Sequence, residues 1–168
     1  MLTGSLVSSL QGEPRSTHDI DLVVDLHADR IEGLLRAFSS SEFYVSRSAV
    51  EEAVRQRRMF NLLELQSGDK VDFWVLTDSP FDQSRFARRR TIEFDGITID
   101  VSSPEDTILM KLKWAMDSGG SEKQFHDALR VFEVHASVLN RNYLDRWVIE
   151  LAVSELWSRV LSEAQPIE

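Results

Sequence analysis

The chain contains no cysteine among its 168 residues. That absence excludes disulfides, thiolate metal sites and a cysteine nucleophile, and it fits a reducing compartment. Proline and glycine are sparse, at 4 and 7 residues, so neither a collagenous nor a loop-dominated chain is in question. Long apolar runs are also missing. The stretch Ile20 to Leu26 is broken by acids and is far too short to span a bilayer. No basic segment precedes an apolar one at the N-terminus, so the sequence predicts a cytoplasmic protein with no membrane partner. Positive charge is in deficit, with 19 Lys and Arg against 28 Asp and Glu and a net charge of -9. A field of that sign disfavours unspecific coating of nucleic acid.

What is present is the composition of a soluble globular domain, 42% hydrophobic and 28% charged. A chain of this length buries roughly two-thirds of its unfolded surface and needs no staple. Asp19 to Leu26 alternates as a strand, with Ile20, Leu22 and Val24 expected on the core face. Ile31, Leu34, Leu35 and Phe38 follow helical spacing, and Ala49 to Arg58 is a second helical segment. Met59 to Gln66 and Val71 to Leu76 read as a hairpin around Ser67-Gly68-Asp69-Lys70. Thr91 to Phe94 and Ile97 to Val101 read as another around Asp95-Gly96. Ser103-Pro104-Glu105-Asp106 then opens a helix with a capping serine and a proline in its first turn. Helical periodicity fills the rest. The expected fold class is α+β, a mixed sheet with flanking helices (residues 1–101) followed by a C-terminal helical bundle (residues 102–168).

Two basic clusters stand out, Arg55, Arg57 and Arg58, then Arg85 with Arg88, Arg89 and Arg90. They read either as solvated faces or as an anion-binding rim. The four histidines show no metal-ligand spacing, and Trp114, Trp147 and Trp157 read as core residues on helices.

The chemistry concentrates in carboxylates. Asp19 and Asp21 are two apart in a strand, so they share a face with roughly 7 Å between Cβ atoms. Such a pair repels itself unless a cation neutralises it, and a hard divalent ion with oxygen ligands is the natural occupant. Asp72 opens a later strand, and adjacent pairing would make it the third member of the cluster. Upstream, Thr3-Gly4-Ser5 precedes an apolar stretch. A Gly-Ser step at a helix N-terminus presents amides and a hydroxyl to phosphate oxygens, or serves as a plain N-cap.

Thirteen residues separate Ser5 from Asp19. Gly4-Ser5, that gap, and Asp19-Ile20-Asp21-Leu22 together resemble the signature of the nucleotidyltransferase superfamily. The segment Gly12-Glu13-Pro14-Arg15-Ser16-Thr17-His18-Asp19-Ile20-Asp21 is similar to a loop of small prokaryotic nucleotidyltransferase-like proteins, among them the abortive-infection-type toxins. The resemblance runs on through Lys70 to Phe73, Ser103 to Asp106, Lys111 to Trp114, and Ser121 to Gln124 with Asp127. It implies a polymerase-beta-like palm in which Asp19, Asp21 and Asp72 bind two Mg²⁺ ions and carry the catalysis. Gly4, Ser5, Arg15, Thr17 and Lys111 would bind ATP or another nucleoside triphosphate, with Lys111 otherwise a surface lysine. A nucleoside monophosphate would pass to an acceptor hydroxyl on RNA, protein or a small molecule. The alternative is a non-catalytic nucleotide-binding module of the same fold, or one half of a toxin–antitoxin pair, with an antitoxin or a second copy as partner. A cleft between sheet and C-terminal helices, lined by Lys111, Lys113 and Lys123, is the expected place for the substrate.

Overall fold

The structure is a computed structural model describing residues 1–165 except Arg15, Thr17, His18 and Ser40. Among the described residues seven strands form one sheet, in the order β3-β4-β5-β2-β1-β7-β6. The strands are β1 (Leu2–Thr3), β2 (Asp19–Val24), β3 (Phe43–Val45), β4 (Met59–Glu64), β5 (Lys70–Val75), β6 (Arg90–Phe94) and β7 (Ile97–Val101). The helices are α1 (Gly4–Gln11), α2 (Ile31–Ala37), α3 (Arg47–Gln56), α4 (Pro80–Ala87), α5 (Pro104–Asp117), α6 (Glu122–His135), α7 (Arg141–Glu150) and α8 (Ser154–Glu163). The sheet is mixed: β2 runs parallel to β5 and β1 to β7, and the other pairs are antiparallel. The α+β organisation read from the sequence is the one the chain adopts.

Strand alternation divides the sheet into two unlike faces. Leu22, Val24, Val71, Phe73, Val75, Phe60 and Leu62 pack against α2 and α3 in one apolar cluster, with Phe60 and Phe73 stacked 5.0 Å apart. Ile20 lies on the same face at the start of β2 but is exposed and takes no part in this cluster, contrary to its expected place in the core. The opposite face carries Asp19, Asp21 and Val23 on β2, Lys70, Asp72 and Trp74 on β5, and Met59 and Asn61 on β4, as the registers require. A second cluster joins α5 to α8 around Ile108, Leu112, Phe125 and Trp147, and Phe81 of α4 belongs to it.

Both hairpins are present. At the tip of the second, Asp95 and Gly96 take φ values of 50° and 75°, the left-handed pair that an Asp-Gly turn supplies. Ser103 caps α5, its Oγ accepting from the Asp106 amide at 3.2 Å. Helix α4 was not expected, although Ser79-Pro80-Phe81-Asp82 repeats the Ser-Pro-x-Asp arrangement that opens α5. Ser79 Oγ accepts from the Asp82 amide in the same way. No described helix is long and apolar enough to cross a membrane.

Candidate functional site: a row of aspartates beside a helix N-terminus

Parallel pairing of β2 and β5 places Asp21 directly opposite Asp72 and Asp19 opposite Lys70. Neighbouring strands lie about 4.8 Å apart, so all three aspartates stand in adjacent positions on one face. On the other side of β2, the antiparallel register sets Thr3 opposite Asp21. The chain then turns straight into α1, which brings Gly4 onto the Asp21 carboxylate. A Cβ on Gly4 would overlap that carboxylate and lie 2.8 Å from Asp21 Cβ, and Gly4 has φ +73°. Only glycine meets both demands. The Gly-Ser step and the first Asp-x-Asp strand, thirteen residues apart in sequence, are thus in contact.

Asp21 and Asp72 each have a donor. Trp74 Nε1 donates to Asp21 Oδ1 at 3.1 Å. Asn61 Nδ2 donates to Asp72, whose other oxygen lies 3.1 Å from the Lys70 ammonium. Lys70, Asn61 and Trp74 were not singled out in the sequence. The signal for two of them is the period of the strand, since Lys70 and Trp74 flank Asp72 at two residues and share its face.

Asp21 titrates above the ordinary 3.8, chiefly because burial penalises its charge. Repulsion from Asp72 and Asp19 adds to the rise, while the Trp74 hydrogen bond and the Lys111 ammonium oppose it. Repulsion between the acids, expected from the sequence, is therefore present but ranks below desolvation. An acid whose folded pKa is raised binds more protons folded than unfolded, so stability falls as pH climbs through the window opening near 3.8. Asp21→Asn retains an oxygen for Trp74 and removes the charge. We expect its melting temperature at pH 7 to exceed wild type by about 1–3 °C, the scale of a partly screened charge, with the gain gone below about pH 4. Melting curves across pH check this, and a variant less stable than wild type at pH 7 would contradict it.

Lys111 occupies a different place from either sequence reading. It is 1% exposed, with Nζ 2.6 Å from Asp127 Oδ2, 2.9 Å from Gln124 Oε1 and 3.2 Å from Ser5 Oγ. Ser8 of α1 also donates to Asp127 at 3.3 Å. The lysine thus ties α5 and α6 to the first turn of α1 and lies behind Gly4-Ser5. Arg15 and Thr17 lie outside the described residues. The second arginine cluster is consumed internally: Arg85 pairs with Asp82, Arg88 with Glu105 and Asp106, and Arg89 with Asp100. Arg57 and Arg58 of the first cluster line a cavity of about 790 Å³ beside the aspartates. Its floor is Thr3, Val23 and Trp74 on the acid face, and its far wall comes from α4, α5 and α7. A cleft between sheet and helices is therefore present. Lys113 lines it, whereas Lys111 is buried behind α1 and Lys123 lies by a smaller hollow with Ser8 and Asp127. Trp114 and Trp147 line the cleft as well, while Trp157 packs in the helical core.

Among the described residues no three acidic or histidine side chains are gathered as closely as an ion would require. The donor chemistry nevertheless fits a hard divalent ion, since the three groups are carboxylates on one face. One cation already reports their combined field: the Lys70 ammonium is held above its usual range, first by its hydrogen bond to Asp72 and further by the charges of Asp72, Asp19 and Asp21.

No family model matches the sequence and no curated protein matches it significantly. Among solved structures, the chain is similar to an antigenic nucleotidyltransferase-like protein from Paracoccidioides brasiliensis. The two are 18% identical, the match covers 99% of this chain and 85% of that one, and the TM-score is 0.49.

Proposed function

We propose that the chain is a Mg²⁺-dependent nucleotidyltransferase, moving a nucleoside monophosphate from ATP or another nucleoside triphosphate to an acceptor hydroxyl. The observation that carries the reading is the contact of Gly4 with Asp21, made where Asp21 stands opposite Asp72. It joins a phosphate-binding type of helix start to an acidic row, the two halves that phosphoryl chemistry needs.

Asp19, Asp21 and Asp72 are the residues that would hold the metal. Bound there, divalent ions supply charge neutralisation for the phosphates and a lowered pKa for the acceptor hydroxyl. The chain's own residues do the rest. Asp72 would accept the acceptor's proton once Lys70 releases it, a general-base role. Trp74 fixes the rotamer of Asp21 through its indole N–H. Gly4 and Ser5 offer the first amides of α1 and a hydroxyl to phosphate oxygens, and Lys111 holds Ser5 in place. The sheet, through Thr3, Val23 and Trp74, forms one wall of the substrate cleft, and α4, α5 and α7 form the other.

A second reading has its own observation. Lys70 and Asn61 satisfy Asp72 and Trp74 satisfies Asp21, as in a module of this fold that binds nucleotide, an antitoxin or a second copy without catalysis. Thermal shift with ATP separates binding from its metal dependence. We expect ATP with Mg²⁺ to raise the wild-type melting temperature and ATP with EDTA to do so far less. Asp72→Asn should lose the Mg²⁺-dependent part. An equal shift with and without metal would contradict the metal role of the acids.

A further inference from the structure

The three aspartates stand at three corners of a four-cornered patch, and the fourth corner is a cation. Asp19 and Asp21 belong to β2, Lys70 and Asp72 to β5, and the parallel register sets Asp19 opposite Lys70 and Asp21 opposite Asp72. The corners are about 4.8 Å apart across the strands and roughly 7 Å apart along them. Lys70 Nζ lies 3.1 Å from Asp72 Oδ2. The other Asp72 oxygen accepts from Asn61, and Asp21 Oδ1 accepts from Trp74. Those two donors are neutral and leave the charge of the corners unaltered. Lys70 reduces it, setting one ammonium against three carboxylates.

The two partners in this ion pair are unequally held. The Lys70 side chain is 42% exposed, whereas that of Asp72 is 12% exposed. A lysine ammonium is a compact charge on a flexible four-carbon stem, so it can swing into water while the carboxylate stays on its strand. A pair exposed on one side contributes little to stability, and a competing cation of higher charge displaces it.

We propose that Lys70 is the resident counter-ion of this patch and sets its affinity for divalent ions, which bind the aspartates in competition with the ammonium. The inference rests on the metal role proposed for the aspartates and adds the residue that governs how tightly the ion is held. The lysine acts through charge rather than bulk. A carboxylate oxygen has two lone pairs, so Nζ leaves a ligand position open on Asp72 and opposes an ion there by repulsion. Without metal, the same ammonium relieves the repulsion among three acids on one face.

The probe is Mn²⁺ alone, added in steps at constant ionic strength and followed by the melting temperature of the full chain. Lys70→Met keeps the stem, removes the charge and, at a half-exposed position, should fold. We expect it to bind Mn²⁺ at least about tenfold more tightly than wild type, the scale of a unit charge acting on a divalent ion in wet surroundings. Lys70→Arg keeps the charge and should bind no more tightly than wild type. Adding Asp72→Asn to Lys70→Met should abolish the gain. A lysine that merely supported the fold would not tighten metal binding when lost. Equal or weaker affinity in Lys70→Met, with wild type still binding Mn²⁺, would overturn the role of Lys70 and leave the metal reading standing. The same gain in Lys70→Arg, or a gain that survives Asp72→Asn, would also overturn it. No Mn²⁺-dependent shift in any of these proteins would overturn the metal reading and this inference together.

Discussion

Lys111→Met is expected to lower the unfolding free energy by about 3–5 kcal/mol, as removal of one partner from a buried ion pair does. The variant leaves Asp127, whose side chain is 10% exposed, without its 2.6 Å ammonium. It also frees Ser5 Oγ and Gln124 Oε1 from the same cation. The methionine fills most of the lysine's volume, so the loss measures charge rather than a cavity. Adding Asp127→Leu should recover at least half of it, because an apolar pair of similar size costs less than a single uncompensated charge. Urea denaturation of the two single variants and the double one gives the cycle. Additive losses would show that Lys111 and Asp127 stabilise the fold separately. Since Lys111 holds the first turn of α1, nucleotide affinity should fall in Lys111→Met even where the protein remains folded.

The second large effect is expected at Gly4. Gly4→Ala places a side chain at φ +73° and drives its Cβ into the Asp21 carboxylate. Left-handed strain of this kind costs about 1–3 kcal/mol, and the collision forces Asp21 from its bond with Trp74 as well. We expect a total loss of about 2–4 kcal/mol in unfolding free energy and no measurable nucleotide transfer. The two contributions separate in a double variant. Asp21→Ala removes the overlap with the carboxylate and leaves the 2.8 Å approach to Asp21 Cβ and the backbone strain, so Gly4→Ala should cost less in that background than in wild type. An identical cost in both would mean that α1 has shifted away from the acidic row.

The parts of the fold that could be read from sequence are those set by local chemistry. The alternation of β2, the Asp95-Gly96 turn and the Ser103-Pro104 cap specify their structures within a few residues. Strands β1 and β3, of two and three residues, are too short for alternation to register, and pairing with β2, β7 and β4 alone defines them. Helix α4 was legible through its Ser-Pro-x-Asp start. It was obscured by the arginines that follow, which look like a solvated face but pair with Asp82, Glu105, Asp106 and Asp100.

At the site, same-face placement of Asp19 and Asp21 follows from the strand period, and their alignment with Asp72 required only adjacent pairing. Burial of Lys111 was not legible, because its partners come from α1 and α6 and nothing in their spacing reveals that three helices meet there. The tryptophan-lined cavity was hidden for the same reason. Trp74 lies on a strand and Trp114 and Trp147 on helices whose mutual placement is tertiary.

The central claim is that the aspartate row carries metal-dependent nucleotidyl transfer. The direct measurement is incubation of the protein with α-labelled nucleoside triphosphates, Mg²⁺, and cell RNA, total protein and small-molecule fractions in turn, alongside Asp21→Asn and Asp72→Asn. The account predicts label in one fraction with wild type, none with EDTA, and a fall of at least about a hundredfold in either variant. Those losses should leave the melting temperature at or above that of wild type for Asp21→Asn, so that unfolding is not their cause. Label incorporated at the wild-type rate by folded Asp21→Asn, or equally with and without Mg²⁺, would contradict it.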